Sequence, residues 1–215
     1  MNLRRLGVSA AVLGLAAATI APVASASAST PAPLGTRSLA AVLTSDGNRF
    51  DRNWYDYDIV TEAVLAVLAA KPTSPVGLLT DGTVPLTAFI PNDRAFQVLA
   101  YDLTKRWPTT EEKTFTALVA AVGVDAIEQV LLYHVVPGAA ITKKAAVNAD
   151  GATLTTAQGG TIRVRVYSRY LPIVELRDKD TNDVNPFLNP RALDINAGNA
   201  QIAHGIVFVL RPLDL

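Results

Sequence analysis

The chain has no cysteine in 215 residues. That excludes disulfides, thiolate metal ligands and cysteine nucleophiles, so a stable fold must rest on its core alone. Histidine is nearly absent too, with only His134 and His204. The local signatures of common enzymes are missing: there is no G-x-S-x-G nucleophile elbow, no Walker A loop and no H-E-x-x-H. A Ser-His-Asp site needs no sequence adjacency, but nothing local supports one. Net charge is absent as well, 19 basic residues against 19 acidic, so no basic field argues for nucleic acid or an anionic membrane surface. What the chain does have is apolar content. Hydrophobic residues make up 50% and charged ones 18%, enough for a sizeable core in a single domain.

The N-terminus reads as an address rather than as fold. Met1 to Arg5 is a short positive region, Leu6 to Val23 is apolar, and Ala24-Ser25-Ala26 and Ala26-Ser27-Ala28 are tandem small-x-small cleavage sites. The expectation is a signal peptide over residues 1–28, cut after Ala26 or Ala28, and a secreted, extracellular product. Without Arg4 and Arg5 the chain has 17 basic against 19 acidic residues. Residues 29–37 are expected as a Pro-rich linker, and 38–215 as the domain. No later segment approaches the length of apolar sequence needed to span a membrane.

Helical periodicity dominates the first half. Ser38 to Leu43 predicts a short helix. Asp58 to Ala70 predicts a longer one, with Asp58 as N-cap and Ile59, Val60, Ala63, Val64, Val67 and Leu68 on one broad apolar face. Leu86 to Ile90 is a buried strand ended by Pro91, after which Asn92 caps a helix through Tyr101. Thr109 with Glu112, and Asp125 with Glu128, have capping-box spacing before two further helices. Strands are expected in the second half over Ala152–Thr156, Thr161–Tyr167, Leu171–Arg177 and Ile206–Leu210. Thr161 to Val166 alternates with period two, and Gly159-Gly160 supplies the hairpin turn before it. Helices first and antiparallel strands later define an α+β domain.

Several groups admit a chemical and a structural reading. His134 sits in the apolar run VLLYHVVPG, which Pro137-Gly138 ends. As a ligand or base it needs a partner; as a core histidine it needs one backbone oxygen, and that reading is preferred. Pairing with His204 at a metal lacks a third ligand, so no metal and no cofactor is expected. Asp178, Asp180 and Asn182 imitate the first three ligands of a calcium loop, but Asp183 stands where glycine is required and Asn189 where the bidentate glutamate belongs; a polar hairpin is the simpler account. Arg163, Arg165 and Arg169, interleaved with Tyr167 and Tyr170, suit an anionic polysaccharide or simply the charged wet face of an edge strand. Trp54, Tyr55 and Tyr57 suit a carbohydrate platform or an anchor for the following helix.

Three stretches together carry a resemblance. Thr87, Phe89, Pro91, Asn92, Asp93, Ala95 and Phe96 in TAFIPNDRAF resemble the first signature segment of fasciclin domains. LLYHVVPG is similar to the family's central Tyr-His segment, including Pro137 and Gly138. HGIVFVL, with Gly205, resembles its last signature. The resemblance implies a wedge of seven or so mostly antiparallel β-strands with a helical layer packed on one side. It also implies a non-catalytic adhesion or binding module at or near the cell surface, whose partner is an extracellular protein or a polysaccharide. Tyr133 and His134 are the binding pair that carries over, and the other named residues are structural. The chain departs from the family at His204, where asparagine is usual, at Phe208 for histidine and at Arg211 for aspartate. Asn199-Ala200 occupies the place of the Asp-Ile pair tied to integrin binding in animal members, so that activity is not implied. The alternatives are a hydrolase of cell-surface polymers and a carrier of a small apolar ligand.

Overall fold

The computed structural model describes residues 33–213 apart from 46, 48 and 49. The expected signal peptide and residues 29–32 of the expected linker lie outside the described residues. Gly35 and Arg37 are built into the domain: Gly35 N–H donates to Gly198 O at 2.8 Å, Ala200 N–H donates to Gly35 O at 2.9 Å, and Arg37 N–H donates to Asn199 Oδ1 at 3.0 Å.

Among the described residues five helices and six strands follow in chain order: α1 (Leu39–Leu43), α2 (Asp58–Ala70), β1 (Leu86–Pro91), α3 (Asp93–Thr104), α4 (Glu111–Tyr133), β2 (Val135–Pro137), α5 (Lys143–Ala146), β3 (Thr153–Thr155), β4 (Thr161–Ser168), β5 (Ile173–Arg177) and β6 (Gln201–Ile206). A 3-10 turn spans Pro75–Thr80. The strands form two three-stranded sheets, ordered β2-β1-β6 and β3-β4-β5. Among the described strand pairs only β1–β6 is parallel, so the α+β, mostly antiparallel expectation holds. Phe187 and Leu188 join the sheets, bridging to Glu175 of β5 and Ile206 of β6 respectively.

The apolar stripe of α2 explains its place. Ile59, Val60, Ala63, Val64 and Val67 are all buried, in one core with α3, α4, β1 and α1. A second core lies between the sheets, around Tyr133, Phe89, Ile162, Val164, Val174, Leu176 and Ile206. On β4 the alternation is as expected: Ile162 and Val164 are buried, while Arg163 and Arg165 are exposed.

Four local expectations need correction. Asp58 does not cap α2; it is the first helical residue, and the N-cap position, Tyr57, makes no side-chain cap bond. Thr110 rather than Thr109 caps α4, accepting from Lys113 N at 3.2 Å. Asp125 and Glu128 cap nothing, because both are ion-paired to Lys71. The two helices expected there run on as α4, whose break at Gly123 (φ 75°, ψ 168°) uses a backbone conformation that glycine tolerates. The expectation that no later segment reaches a membrane-spanning length also needs correction: by length and composition α4 is long and apolar enough to cross a membrane, and its break at Gly123 leaves two shorter rods. The last strand is Gln201–Ile206, not Ile206–Leu210. Gln201 sets its start, accepting from Leu39 N at 2.8 Å and donating to Leu78 O and Asp81 O at 2.7 and 2.8 Å.

Candidate functional site

The Tyr-His pair lies where α4 hands over to β2. Tyr133 is fully buried and its hydroxyl donates to Thr161 O at 2.7 Å; desolvation pushes its pKa up to about 12. His134 is 5% exposed. Its Nδ1 lies 2.7 Å from Val130 O, and its Nε2 is 3.0 Å from the backbone N of Leu210, which donates. The ring is therefore a neutral imidazole with the proton on Nδ1, and burial holds its pKa down to about 4. Neither side chain is presented at the surface. His204 is also buried, 2.7 Å from Ile141 O through Nε2 and accepting from Asp194 N at 3.2 Å through Nδ1. Each histidine ties two distant backbone segments together.

The first signature segment does the same work at the helix side. Thr87 Oγ1 donates to Ala139 O and accepts from Ile141 N, both at 2.7 Å, pinning the chain after β2. Phe89 is buried with its ring 6.2 Å from that of His204. Pro91 ends β1, and Asn92 Oδ1 caps α3 by accepting from Ala95 N at 3.0 Å. Asp93 reaches across to α2. Its carboxylate accepts from Asp58 N at 3.3 Å and Ile59 N at 2.8 Å, supplying the cap that Tyr57 does not. Ala95 and Phe96 are in the core. Pro137 is exposed at the end of β2, and Gly138 follows at φ 93° with its N–H on Pro85 O at 2.8 Å. Gly205 permits a close approach, since a Cβ there would lie 2.5 Å from Tyr57 Oη and 2.7 Å from Ala192 Cβ.

The first residues of α2, α3 and α4 are Asp58, Asp93 and Glu111, and the connector 50–57 laces these ends together. Asp93 N–H donates to Asp56 O, Arg94 N–H to Trp54 O and Asp51 N–H to Glu111 Oε2. Burial is the main cause raising the carboxyl pKa of Asp93 and of Glu111; Asp56 adds to the effect on both. The aromatic connector thus serves as an anchor, with Trp54 and Tyr57 partly buried and Tyr55 exposed.

The loop that imitates a calcium site closes on a built-in cation. Arg211 Nη2 lies 2.6 Å from Asp102 Oδ2, its Nε 3.0 Å from Asp183 Oδ2 and its Nη1 3.4 Å from Asp180 Oδ2, while its backbone N–H donates to Asp178 Oδ2 at 2.8 Å. The Nε contact is an ion pair without hydrogen-bond alignment. Beside it lies a half-open cleft of about 410 Å³, lined by Asp102, Lys105, Asp183, Phe208 and Arg211. In the sequence Arg211 stands out only as a departure and Glu111 and Gln201 carry no local signal, because the side-chain partners of all three lie far away along the chain.

On the far side the β3-β4-β5 sheet turns Arg163, Arg165 and Tyr167 outward. Arg163 stands directly opposite Arg177 on β5, and the Arg165 guanidinium lies 5.9 Å from the Tyr167 ring. At the hairpin tip Tyr170 is 100% and Leu171 69% exposed.

With this geometry in place, the comparisons agree with one another. The family model for the fasciclin domain matches residues 61–210. The chain belongs to the fasciclin domain family. Among solved structures it is similar to a FAS1 domain pair from the insect cell adhesion molecule fasciclin I, with a TM-score of 0.53 and 17% identity. That match covers 81% of this chain and 50% of the other, so the chain spans about half the length of the pair. No curated protein matches.

Proposed function

We propose that this chain is a secreted, non-catalytic adhesion module acting at or near the cell surface, and that the exposed face of β4 and β5 is its contact surface. The observation that carries the reading is that face: Arg163 and Arg165 exposed beside Tyr167, Arg163 opposed to Arg177, and Tyr170 and Leu171 bare at the tip. Like charges directly opposite one another are unfavourable unless an anion or solvent screens them. Arg177 is already paired with Glu175 at 2.9 Å, which leaves Arg163 and Arg165 as the cations this face offers to a partner. Arginine and tyrosine side by side suit an acidic polysaccharide or an acidic protein surface. Membership of a family of adhesion modules supports the same reading, as does the similarity to a domain pair from a cell adhesion molecule. Tyr133 and His134, buried and bonded to backbone, then act as struts rather than contacts.

The other two readings find less support. The apolar cavity between α2, α3 and α4, lined by Ile59, Phe96, Leu118 and Ile127, holds about 40 Å³, against several hundred for a small-molecule site. A hydrolase would be built most naturally on the Arg211 cleft, but Asp102 and Asp183 there are engaged by the guanidinium. The test is adsorption of the mature domain to dextran sulfate and to intact cells across a salt series. The Arg163→Gln, Arg165→Gln double variant should lose binding with little change in thermal midpoint. Equal binding by parent and variant would remove this face from the contact.

A further inference from the structure

We propose that Asp51, Asp56 and Glu111 bind a hard divalent cation of the calcium class at the point where the N-termini of α2, α3 and α4 meet. One carboxylate oxygen from each lies within 4.8 Å of the other two, and Asp56 shares a second such group with Asp58 and Asp93. Proximity alone would be weak ground. The second observation is Glu111, which has 0% exposure. Its Oε2 accepts from Asp51 N at 2.5 Å, but its Oε1 is buried with no hydrogen-bond partner, and so is Asp56 Oδ1. A buried carboxylate oxygen without a donor is costly, and two of them beside a third carboxylate call for a positive charge between them.

Among the described residues the surroundings supply no cation, and the proton that Asp93 shares with Asp56 in a side-chain hydrogen bond offsets only part of the cluster. Among the described residues no lysine or arginine is ion-paired with Asp51, Asp56 or Glu111. The helix N-termini have their own caps: Asn92 takes Ala95 N, Thr110 takes Lys113 N and Asp93 takes Ile59 N. These three N–H groups are thus committed to other acceptors. Asp51 is exposed, which gives an ion a path in from solvent.

The donor set selects the ion. Three carboxylates and no nitrogen or sulfur favour a hard cation over zinc or copper. Calcium takes oxygens at roughly 2.3–2.6 Å in a flexible geometry, whereas magnesium demands a near-ideal octahedron and is usually held by only one or two carboxylates. Three carboxylates brought together from separate segments therefore suit calcium. With three protein ligands and the rest water, the affinity belongs to the weak range, Kd on the order of 10⁻⁴–10⁻³ M.

Calorimetric titration of calcium chloride into the chelator-stripped mature domain tests this. One saturable site is expected, weakened at least about ten-fold by Asp56→Asn and by Glu111→Gln, and left intact by Asp125→Asn at the exposed Lys71 pair. Either of the first two variants suffices if the other fails to fold. No uptake up to about 10 mM calcium, ten times the weakest expected Kd, would overturn the proposal and leave the cluster neutralised by protons. Uptake unchanged in both variants would overturn it too, as would tighter binding of magnesium than of calcium.

Discussion

The backbone N–H of Leu210 donates to Nε2 of His134 at 3.0 Å, across 76 residues of chain. That bond and the one from Nδ1 to Val130 O fix both nitrogens of a buried ring. His134→Ala leaves a donor and an acceptor unpaired and opens a small cavity, a loss of roughly 2–4 kcal/mol read by denaturant titration. The pH dependence follows in the same direction. The folded-state pKa, about 4, lies below the ordinary 6.5 because of burial. The unfolded chain therefore takes up the proton first, and the stability His134 contributes is complete above pH 6.5 and lost as pH falls toward 4. The parent's advantage over His134→Ala should shrink across that interval; a constant difference would mean that the ring is not held neutral.

Asp93 caps a helix that is not its own. Asp93→Ala leaves the N–H groups of Asp58 and Ile59 without their acceptor, at a cost of about 1–3 kcal/mol. Asp93→Asn keeps an oxygen for Ile59 N and should retain most of the stability. Urea midpoints of the two variants decide it, and equal losses would assign the effect to charge rather than to capping.

Capping shows where the sequence was readable. Asn92 and the hydrophobic faces of α2 and α3 act within a turn or two of their own positions, so spacing alone places them. The α+β class and the β3–β4 hairpin at Gly159-Gly160 were legible for the same reason. Asp58, Asp125 and Glu128 have the right spacing for caps but answer to partners elsewhere. Asp58 yields the cap to Asp93, while the other two face Lys71. The β6 boundary was misplaced because Ile206–Leu210 is as apolar as a strand. Beyond Ile206 its burial comes from the two cores and from the bond to His134, not from a ladder. The signature motifs located the structural residues, but the arginine face and the carboxylate cluster appear only when strands and helix ends are placed side by side.

Gly205 and Gly160 are required by what presses on them. A Cβ on Gly205 would fall 2.5 Å from Tyr57 Oη and 2.7 Å from Ala192 Cβ, and one on Gly160 would fall 2.8 Å from the Tyr133 ring. The ring cannot swing away while its hydroxyl holds Thr161 O. Alanine at either position should cost about 1–3 kcal/mol by overpacking. Gly77→Ala is the control, since its nearest contact would be a Leu68 methyl at 3.9 Å. Thermal midpoints of the three variants should separate accordingly, and an unshifted Gly205→Ala would show that the wall around Ala192 yields.

Arg211 holds three carboxylates, two of them nearly or fully buried: the Asp180 side chain is 0% and the Asp183 side chain 10% exposed. Burial already pushes the Asp183 carboxyl up, and the guanidinium is the largest influence pulling it back. Arg211→Met keeps much of the side-chain volume and removes the charge, leaving these carboxylates uncompensated at a cost of about 3–5 kcal/mol near neutral pH. The deficit should depend on pH with a definite sign. Without the arginine, the folded-state pKa of Asp183, already raised by burial, rises further above the unfolded value. The folded variant then holds protons the unfolded chain has released, and its stability falls as pH rises through the carboxylate range and upward. Urea titrations of parent and variant at pH 4.5 and 7.5 should therefore show the larger gap at pH 7.5. Arg211→Lys should recover part of it, since an ammonium supplies the charge but not the planar fork that spans Asp102, Asp180 and Asp183. A gap equal at both pH values would mean that the residue acts through packing alone, and that the loop over 178–183 closes for reasons other than the cation at its centre.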